Sequence, residues 1–225
     1  MTTLSSPPDS KFRLYHYWRS SCSWRVRWAL ALKGLPCEFR MISLLNDETD
    51  SPEYRAINSL GYVPTLEILQ PVSPSKKSIF LAESVAILEW LEETYPTPAL
   101  YPGNPLQRAR IRQLVEIINS ATQPLQNLNV TQLHSPNGED QKKWNQHWIR
   151  QGLTAYQTGV RESAGKFSIG DTVTAADLCL IPQCSNAVRY EISLSEFPLL
   201  EKIYTAAMIT PACHASAPQR FEPKC

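Results

Sequence analysis

The chain has 225 residues, 43% of them apolar, and its 22 basic and 21 acidic residues give a formal net charge of +1. This length allows one large domain or two small ones. So balanced a charge gives no reason to expect a nucleic acid or a membrane surface as a partner. Residues 1–11 are polar, and no apolar run approaches the roughly 18 residues that suggest a membrane span. We therefore expect a cytoplasmic protein with no membrane partner.

The cysteines and histidines show no pattern that is typical of a metal site. Six cysteines lie at positions 22, 37, 179, 184, 213 and 225, and none forms a C-x-x-C pair. The four histidines, at 16, 134, 147 and 214, lack the spacing of metal ligands. In a long chain with no export signal such cysteines are expected to be reduced thiols. We predict no structural metal.

The N-terminal part alternates between strand-like and helix-like patterns. Residues 13–17 alternate and are rich in aromatics, which predicts a strand, and residues 23–32 predict a helix that ends at Gly34. The order β-α-β-α-β-β-α predicts an α/β domain with a mixed sheet at residues 11–95. Its remaining predicted elements are a strand at 37–42, a helix at 52–57, strands at 65–69 and 78–81 around a polar loop at 70–77, and a helix from Ser84.

Four prolines at 96, 98, 102 and 105 indicate a linker at residues 96–105. Beyond it the pattern is helical, and an all-α domain is predicted for residues 106–225. Thr174 and Asp177 have the spacing of a capping box, which we interpret as structural. The first helix of this domain has an apolar face at i, i+3, i+4 and i+7, formed by Ile111, Leu114, Val115 and Ile118. Further helices are predicted at 139–165, 174–190 and 197–209.

The segment at residues 19–27, RSSCSWRVR, lies between the first predicted strand and the first predicted helix. The start of a helix has unsatisfied N–H groups and a partial positive charge, so it can hold an anion. Serine hydroxyls there could also donate hydrogen bonds to a thiolate. Serines in front of a helix are more often simple caps, and this pattern alone leaves both interpretations open.

Two further short motifs carry the same kind of ambiguity. Val63-Pro64 precedes a predicted strand, where proline either marks a boundary or, as a cis residue, presents a backbone edge to a ligand. Glu83-Ser84 stands at the start of another helix, either as a cap with an acidic neighbour or as a receptor for a charged end of a ligand. Each motif alone favours the structural interpretation.

Taken together, these motifs resemble the cytosolic glutathione transferases, with a thioredoxin-like N-terminal domain and an all-α C-terminal domain. The run SSCSWRVR at 20–27 resembles the signature of the zeta class, and the likeness continues through QPLQNL at 123–128 and AADLCL at 175–180. The resemblance covers nearly the whole chain. It implies a homodimeric enzyme that isomerises maleylacetoacetate, a conjugated diacid, from cis to trans, with glutathione as a regenerated cofactor.

The resemblance also implies roles for individual residues. Ser20 would contact the glutathione sulfur and promote its ionisation, with Ser21 and Cys22 as the other catalytic candidates. Arg19 and Arg189 would bind substrate carboxylates. The implied cofactor-binding set is Ser20, Ser21, Cys22, Ser23, Trp24, Arg25, Val63 with a cis Pro64, Glu83 and Ser84 at the γ-glutamyl end, and Gln123, Asn127 and Asn129.

Several alternatives stay open at this point. The zeta pattern usually has Gln where this chain has Glu83, which changes the charge near bound glutathione. Cys22, at a helix start, could itself be a nucleophile that forms a mixed disulfide with glutathione. The same scaffold could serve a general glutathione transferase or an α-haloacid dehalogenase. A non-catalytic interaction module is a further alternative, which the retention of Ser20, Val63 and Ser84 disfavours.

Overall fold

A computed structural model describes residues 10–69 and 78–223. The chain divides into two compact units. The first combines the described residues up to Pro98 with those from Pro211 onward, and the second runs from Ala99 to Thr210. The loop predicted at 70–77 lies outside the described residues.

The first unit is an α/β fold built on a four-stranded sheet in the order β2-β1-β3-β4. Strand β1 pairs parallel to β2 and antiparallel to β3, and β3 pairs antiparallel to β4, so the predicted mixed sheet is confirmed. The elements are β1 (Phe12–His16), α1 (Ser21–Leu32), β2 (Cys37–Met41), α2 (Pro52–Arg55), β3 (Thr65–Ile68), β4 (Ile79–Ala82) and α3 (Ser84–Thr94).

Helix α1 begins two residues earlier than the sequence pattern predicts, so that Ser21 and Cys22 belong to its first turn. It ends as predicted, because Gly34 adopts φ 64, a conformation that glycine takes without strain. The amide of Gly34 donates to the Ala31 carbonyl and that of Leu35 to the Leu30 carbonyl, which satisfies the last turn of the helix.

The C-terminal segment belongs to the first unit, whereas the sequence pattern assigned all of residues 106–225 to the helical domain. A short helix, α9 (Pro211–Ser216), packs against α1. The indole Nε1 of Trp24 donates to Ser216 Oγ at 3.2 Å, and Arg27 Nε donates to the Ser216 carbonyl at 3.0 Å. These buried hydrogen bonds hold the segment on α1, and they are invisible to sequence periodicity.

The second unit is helical, as expected. The predicted stripe on its first helix is confirmed, because Ile111, Leu114, Val115 and Ile118 are all buried. Helix α5 was not predicted, because seven residues are too few to show a clear period. The helices are α4 (Pro105–Asn119), α5 (Leu128–His134), α6 (Gly138–Val160), α7 (Ala175–Arg189) and α8 (Pro198–Met208).

The capping box predicted at the start of α7 is confirmed and is fully buried. The Asp177 carboxylate accepts hydrogen bonds from the Thr174 amide at 2.8 Å, the Thr174 hydroxyl at 3.1 Å and the Ser168 amide at 2.8 Å. Burial raises the pKa of Asp177, and the hydrogen bonds from Ser168 and Thr174 oppose that rise. The carboxylate therefore fixes the loop before α7 to the helix.

Replacing Asp177 with Ala is expected to destabilise the chain far more than replacing Thr174 with Val. The first change leaves buried amides of Ser168 and Thr174 without their acceptor, at about 1–3 kcal/mol for each. The second removes one capping hydroxyl, at about 1 kcal/mol. Urea unfolding of both variants measures the difference, and equal losses would contradict the central role of the carboxylate.

Candidate active site

Ser20 is the N-cap of helix α1. Its φ and ψ are −66 and 123, and its Oγ accepts a hydrogen bond from the Ser23 amide at 3.2 Å. The capping interpretation is therefore correct. Capping uses the Ser20 oxygen only as an acceptor, so the hydroxyl still has one hydrogen to donate. Within residues 10–69 and 78–223, no acceptor takes that hydrogen. The half-exposed Ser20 can cap the helix and donate to a ligand at the same time.

Ser21 and Cys22 occupy the first turn of α1, where backbone amides have no partner within the helix. Ser21 is buried and Cys22 is half-buried. The side chains of Ser23 and Trp24 face the interior instead: both are buried, and Trp24 donates to Ser216. These two predicted cofactor residues thus support the helix start from within.

The other cysteines of the described chain are core residues. Burial raises the pKa of the Cys37 and Cys184 thiols far above the ordinary range, and that of Cys213 to about 12. A thiol with so high a pKa is a poor nucleophile at neutral pH. Among the thiols named here, Cys22 alone stands at a helix start and is partly accessible.

The structure joins two of the sequence-predicted positions directly. Arg25 Nη1 donates to Ser84 Oγ at 3.0 Å, and both side chains are buried. The bond joins α1 to the first turn of α3. Arg25 therefore positions the start of α3.

Glu83, directly before α3, adopts φ 65 and ψ 111, although it is not glycine. Such a conformation costs of order 1–3 kcal/mol and is concentrated at functional sites. Its side chain makes no capping hydrogen bond, so capping does not account for the geometry. The strained residue supports the prediction that Glu83 and Ser84 hold a charged ligand end.

The Val63–Pro64 peptide bond is cis, as expected. The Tyr62 carbonyl just before it accepts hydrogen bonds from Tyr54 Oη at 2.7 Å and Asn58 Nδ2 at 2.8 Å. No described residue bonds to the amide or carbonyl of Val63. The turn therefore presents a rigid backbone edge. The contacts of Tyr54 and Asn58 that hold it are not visible in the sequence pattern.

The helical unit brings together two more predicted residues. Gln123 Nε2 donates to Asn127 Oδ1 at 2.8 Å, just before α5. Asn129 is exposed in the first turn of α5. Arg189 is the last residue of α7 and is also exposed. Its guanidinium lies 5.1 Å from the ring centroid of Tyr190. In the first unit, Arg19 is exposed and lies 5.2 Å over the ring of Trp18.

Comparison with known proteins gives consistent matches. A sequence model of the glutathione S-transferase N-terminal domain matches residues 14–99. Over 98% of this chain and 93% of the relative, the sequence is 42% identical to a probable maleylacetoacetate isomerase 2 of Drosophila melanogaster. A structure of the maleyl pyruvate isomerase described as a bacterial zeta-class glutathione S-transferase is 33% identical, with a TM-score of 0.85 over 94% of this chain and 99% of that one.

The chain belongs to the zeta class of the glutathione transferase family. The maleylacetoacetate isomerase of Anaeromyxobacter dehalogenans 2CP-1, solved with glutathione in its active site, is 42% identical, with a TM-score of 0.84 over 95% of this chain and 97% of that one. A further structure of that protein holds dicarboxyethyl glutathione and citrate. The predicted fold class, thioredoxin-like α/β followed by all-α, is confirmed.

Two features are absent from the described residues of this zeta-class chain. Residues 10–69 and 78–223 contain no helix that is both long and apolar enough to cross a membrane. They also contain no group of histidine, cysteine and acidic side chains that could hold a metal ion.

Arg27 is a buried positioning residue of the zeta-class motif that the sequence patterns did not single out. Its guanidinium donates to the carbonyls of Trp18 at 3.0 Å, Tyr17 at 3.4 Å and Ser216 at 3.0 Å. The Tyr17 carbonyl also accepts the Ser20 amide at 3.1 Å. Arg27 thus fixes the turn that presents Ser20, and the signal for it is a second arginine inside an apolar helix.

His16 completes this buried group. Its Nδ1 lies 3.0 Å from Arg27 Nη1. Because an arginine nitrogen can only donate, Nδ1 is the acceptor and the ring is neutral, with its hydrogen on Nε2. Burial first, and then the charge of Arg27, lower the pKa of His16 to about 3. Burial also lowers the pKa of Arg27 to about 9, so the guanidinium stays charged at neutral pH.

This neutral histidine makes the stability of the chain acid-sensitive. The unfolded state takes up a proton near the ordinary pKa of 6.5, whereas the folded state excludes it down to about 3. The contribution of His16 to the free energy of unfolding is therefore fully present above pH 6.5. It falls by about 1.4 kcal/mol per pH unit as the pH is lowered toward 3.

We expect wild-type protein to lose about 2 kcal/mol more than His16→Asn between pH 7 and pH 5, because Asn keeps an acceptor for Arg27 but does not titrate. Urea unfolding at the two pH values measures this. Equal losses in both proteins would show that His16 does not set the acid sensitivity.

Proposed function

We propose that this chain catalyses the glutathione-dependent cis–trans isomerisation of maleylacetoacetate to fumarylacetoacetate. The observation that supports it best is the start of α1. There, no described residue accepts a hydrogen bond from the Ser20 hydroxyl or from the Ser21 and Cys22 amides, so these donors can bind a ligand. That site occurs in a chain whose relatives are named maleylacetoacetate isomerases across nearly their full length.

The described residues fit glutathione as the cofactor. Glutathione is a short peptide with a thiol and charged ends, so it needs a donor for sulfur, a backbone edge and a polar end site. Ser20 offers the donor, Val63 offers an amide and a carbonyl that no described residue uses, and Ser84 stands at the start of α3. Glu83 would face the γ-glutamyl ammonium as its opposite charge.

When bound, glutathione supplies the thiol that adds to the conjugated double bond and is later released. The chain's part is to favour the thiolate. Ser20 donates a hydrogen bond to the sulfur, and the positive end of α1 lies behind it. Lowering a thiol pKa by about two units requires about 2.7 kcal/mol of anion stabilisation, which one hydroxyl and a helix start can supply together.

Arginines would orient the diacid. A guanidinium binds a carboxylate through two parallel hydrogen bonds, which fixes the orientation of the substrate as well as its position. Arg189 and Arg19 are both exposed at the surfaces of their units and are our candidates for this role.

Replacing Ser20 with Ala is expected to lower kcat/KM for maleylacetoacetate about 100-fold, the effect of removing one donor from a developing or bound anion. The absorbance of the glutathione thiolate in the complex should fall in parallel.

Because Ser20→Ala also removes a helix cap, its control is Asn104→Ala, which removes the cap of α4. Asn104→Ala should lose similar stability, about 1 kcal/mol, and keep its activity. Equal activity losses in the two variants would contradict the role of Ser20.

Replacing Arg189 with Ala is expected to raise KM for maleylacetoacetate by about tenfold or more, the effect of losing hydrogen bonds to a charged group. The KM for a neutral acceptor such as chlorodinitrobenzene should stay unchanged. The matched control is Arg161→Ala, which removes another exposed arginine at a helix end of the same unit. Steady-state kinetics with both acceptors provide the test. Similar effects of Arg189→Ala on both acceptors would rule out carboxylate binding.

We further propose that the enzyme acts in the cytoplasm as a homodimer, in the breakdown of tyrosine and phenylalanine. The pathway follows from the proposed reaction, and the dimer from family resemblance. Size-exclusion chromatography with light scattering tests the oligomeric state.

A further inference from the structure

The segment from Pro211 onward reaches the turn between β1 and α1. Its link to that turn is Ser216, which is 1% exposed and whose carbonyl accepts from Arg27 Nε across 189 residues of sequence. The Ser216 hydroxyl accepts from Trp24 Nε1 at 3.2 Å and donates to the Cys213 carbonyl at 3.0 Å. Both of these bonds are buried, so the carbonyl that Ser216 offers to Arg27 is held in a fixed place.

Phe221 makes a second contact between this segment and Arg27. It follows a short 3-10 turn at Pro218–Arg220 and is half-buried. The Cζ atom of Arg27 lies 4.7 Å from the centroid of the Phe221 ring. The ring also makes edge contacts with Phe39, at a centroid distance of 4.8 Å, and with His16, at 5.3 Å. A guanidinium is attracted to an aromatic face, and most strongly where water is excluded, so the ring covers Arg27 and holds it.

The other side of Arg27 holds the backbone that leads to Ser20. Its Nη1 and Nη2 donate to the carbonyls of Tyr17 and Trp18, and the Tyr17 carbonyl also accepts the Ser20 amide at 3.1 Å. The guanidinium therefore lies between the C-terminal segment and the turn that presents Ser20. A buried charge is costly without its partners. Loss of the contacts on one side would admit water, which competes for the donors that hold the turn on the other side.

We propose that the C-terminal segment is part of the glutathione site, with Phe221 as a positioning residue that acts through Arg27 on Ser20. This inference rests on the sulfur-binding role that the proposed function gives to Ser20. A hydroxyl stabilises a thiolate only when its hydrogen points at the sulfur, because hydrogen bonds weaken steeply as they bend. A turn that Arg27 holds less firmly therefore yields less thiolate, although every group that touches glutathione is still present.

Titration of the bound thiol measures this coupling directly. The ultraviolet absorbance of the thiolate is followed in the glutathione complex from about pH 5 to about pH 8. The pKa of His16, about 3, and that of Arg27, about 9, lie outside this range. Phe221→Ala should raise the pKa of the bound thiol by about one pH unit, which is a tenfold weaker preference for the anion. Phe221→Tyr keeps the ring and should titrate as the wild type does.

A second variant and a control separate positioning from general stability. Ser216→Ala leaves the buried indole N–H of Trp24 without its acceptor, so it loosens α9 and should also raise the pKa of the bound thiol. Trp90→Ala removes another half-buried ring of the same unit. That ring contacts Phe12, at the opposite end of β1 from Ser20, with a centroid distance of 6.0 Å. Trp90→Ala should lower the thermal midpoint at least as much as Phe221→Ala and leave the thiol titration unchanged.

A wild-type thiol titration in Phe221→Ala would overturn the inference, and one in Ser216→Ala would overturn the part that it gives to α9. An equal shift in Trp90→Ala would also overturn it, because the effect would then be a general loosening of the unit. Isomerase activity of the wild-type sample is measured separately. An active enzyme whose thiol does not respond to Phe221→Ala would refute the positioning role alone. An inactive enzyme whose thiol does respond would refute the proposed reaction alone.

Discussion

The buried guanidinium of Arg27 is the constraint on which the first unit depends. Its neighbours are carbonyl oxygens and a neutral histidine rather than a carboxylate, so burial is compensated by dipoles and hydrogen bonds. Those acceptors come from the end of β1, the turn before α1 and the C-terminal segment. One side chain of α1 thereby fixes the turn that presents the start of that helix, and it also holds α9 in the same unit. Arginine suits this role because its five donors point in fixed directions.

The site at the start of α1 shows how structural and chemical roles coincide. Ser20 is a helix cap, which accounts for its position, and its hydroxyl hydrogen is still available for a ligand. Glu83 differs, because its backbone is strained and it does not cap α3. A cap needs no functional explanation, whereas a strained glutamate does. The two residues therefore support the glutathione-site interpretation with unequal strength.

Periodicity and motif spacing predicted much of this structure. The buried face through Ile111, the capping box at Thr174, the glycine at the end of α1 and the mixed sheet all follow from local rules, and all are confirmed. Helix α9 was missed because six residues cannot show a period, and its attachment to α1 depends on long-range hydrogen bonds.

The candidate site divides in the same way between local and long-range features. The Ser20, Val63 and Ser84 positions could be found from resemblance. The supporting contacts of Arg27, Tyr54 and Asn58 could not, since their acceptors are defined only by the folded backbone.

The most direct measurement is a count of free thiol during turnover of maleylacetoacetate by the purified protein, with and without glutathione. The account predicts rapid formation of fumarylacetoacetate that requires glutathione and leaves the thiol concentration constant. Thiol consumed in proportion to product would indicate a transferase on the same scaffold, and absence of isomerisation by folded protein would contradict the proposed reaction.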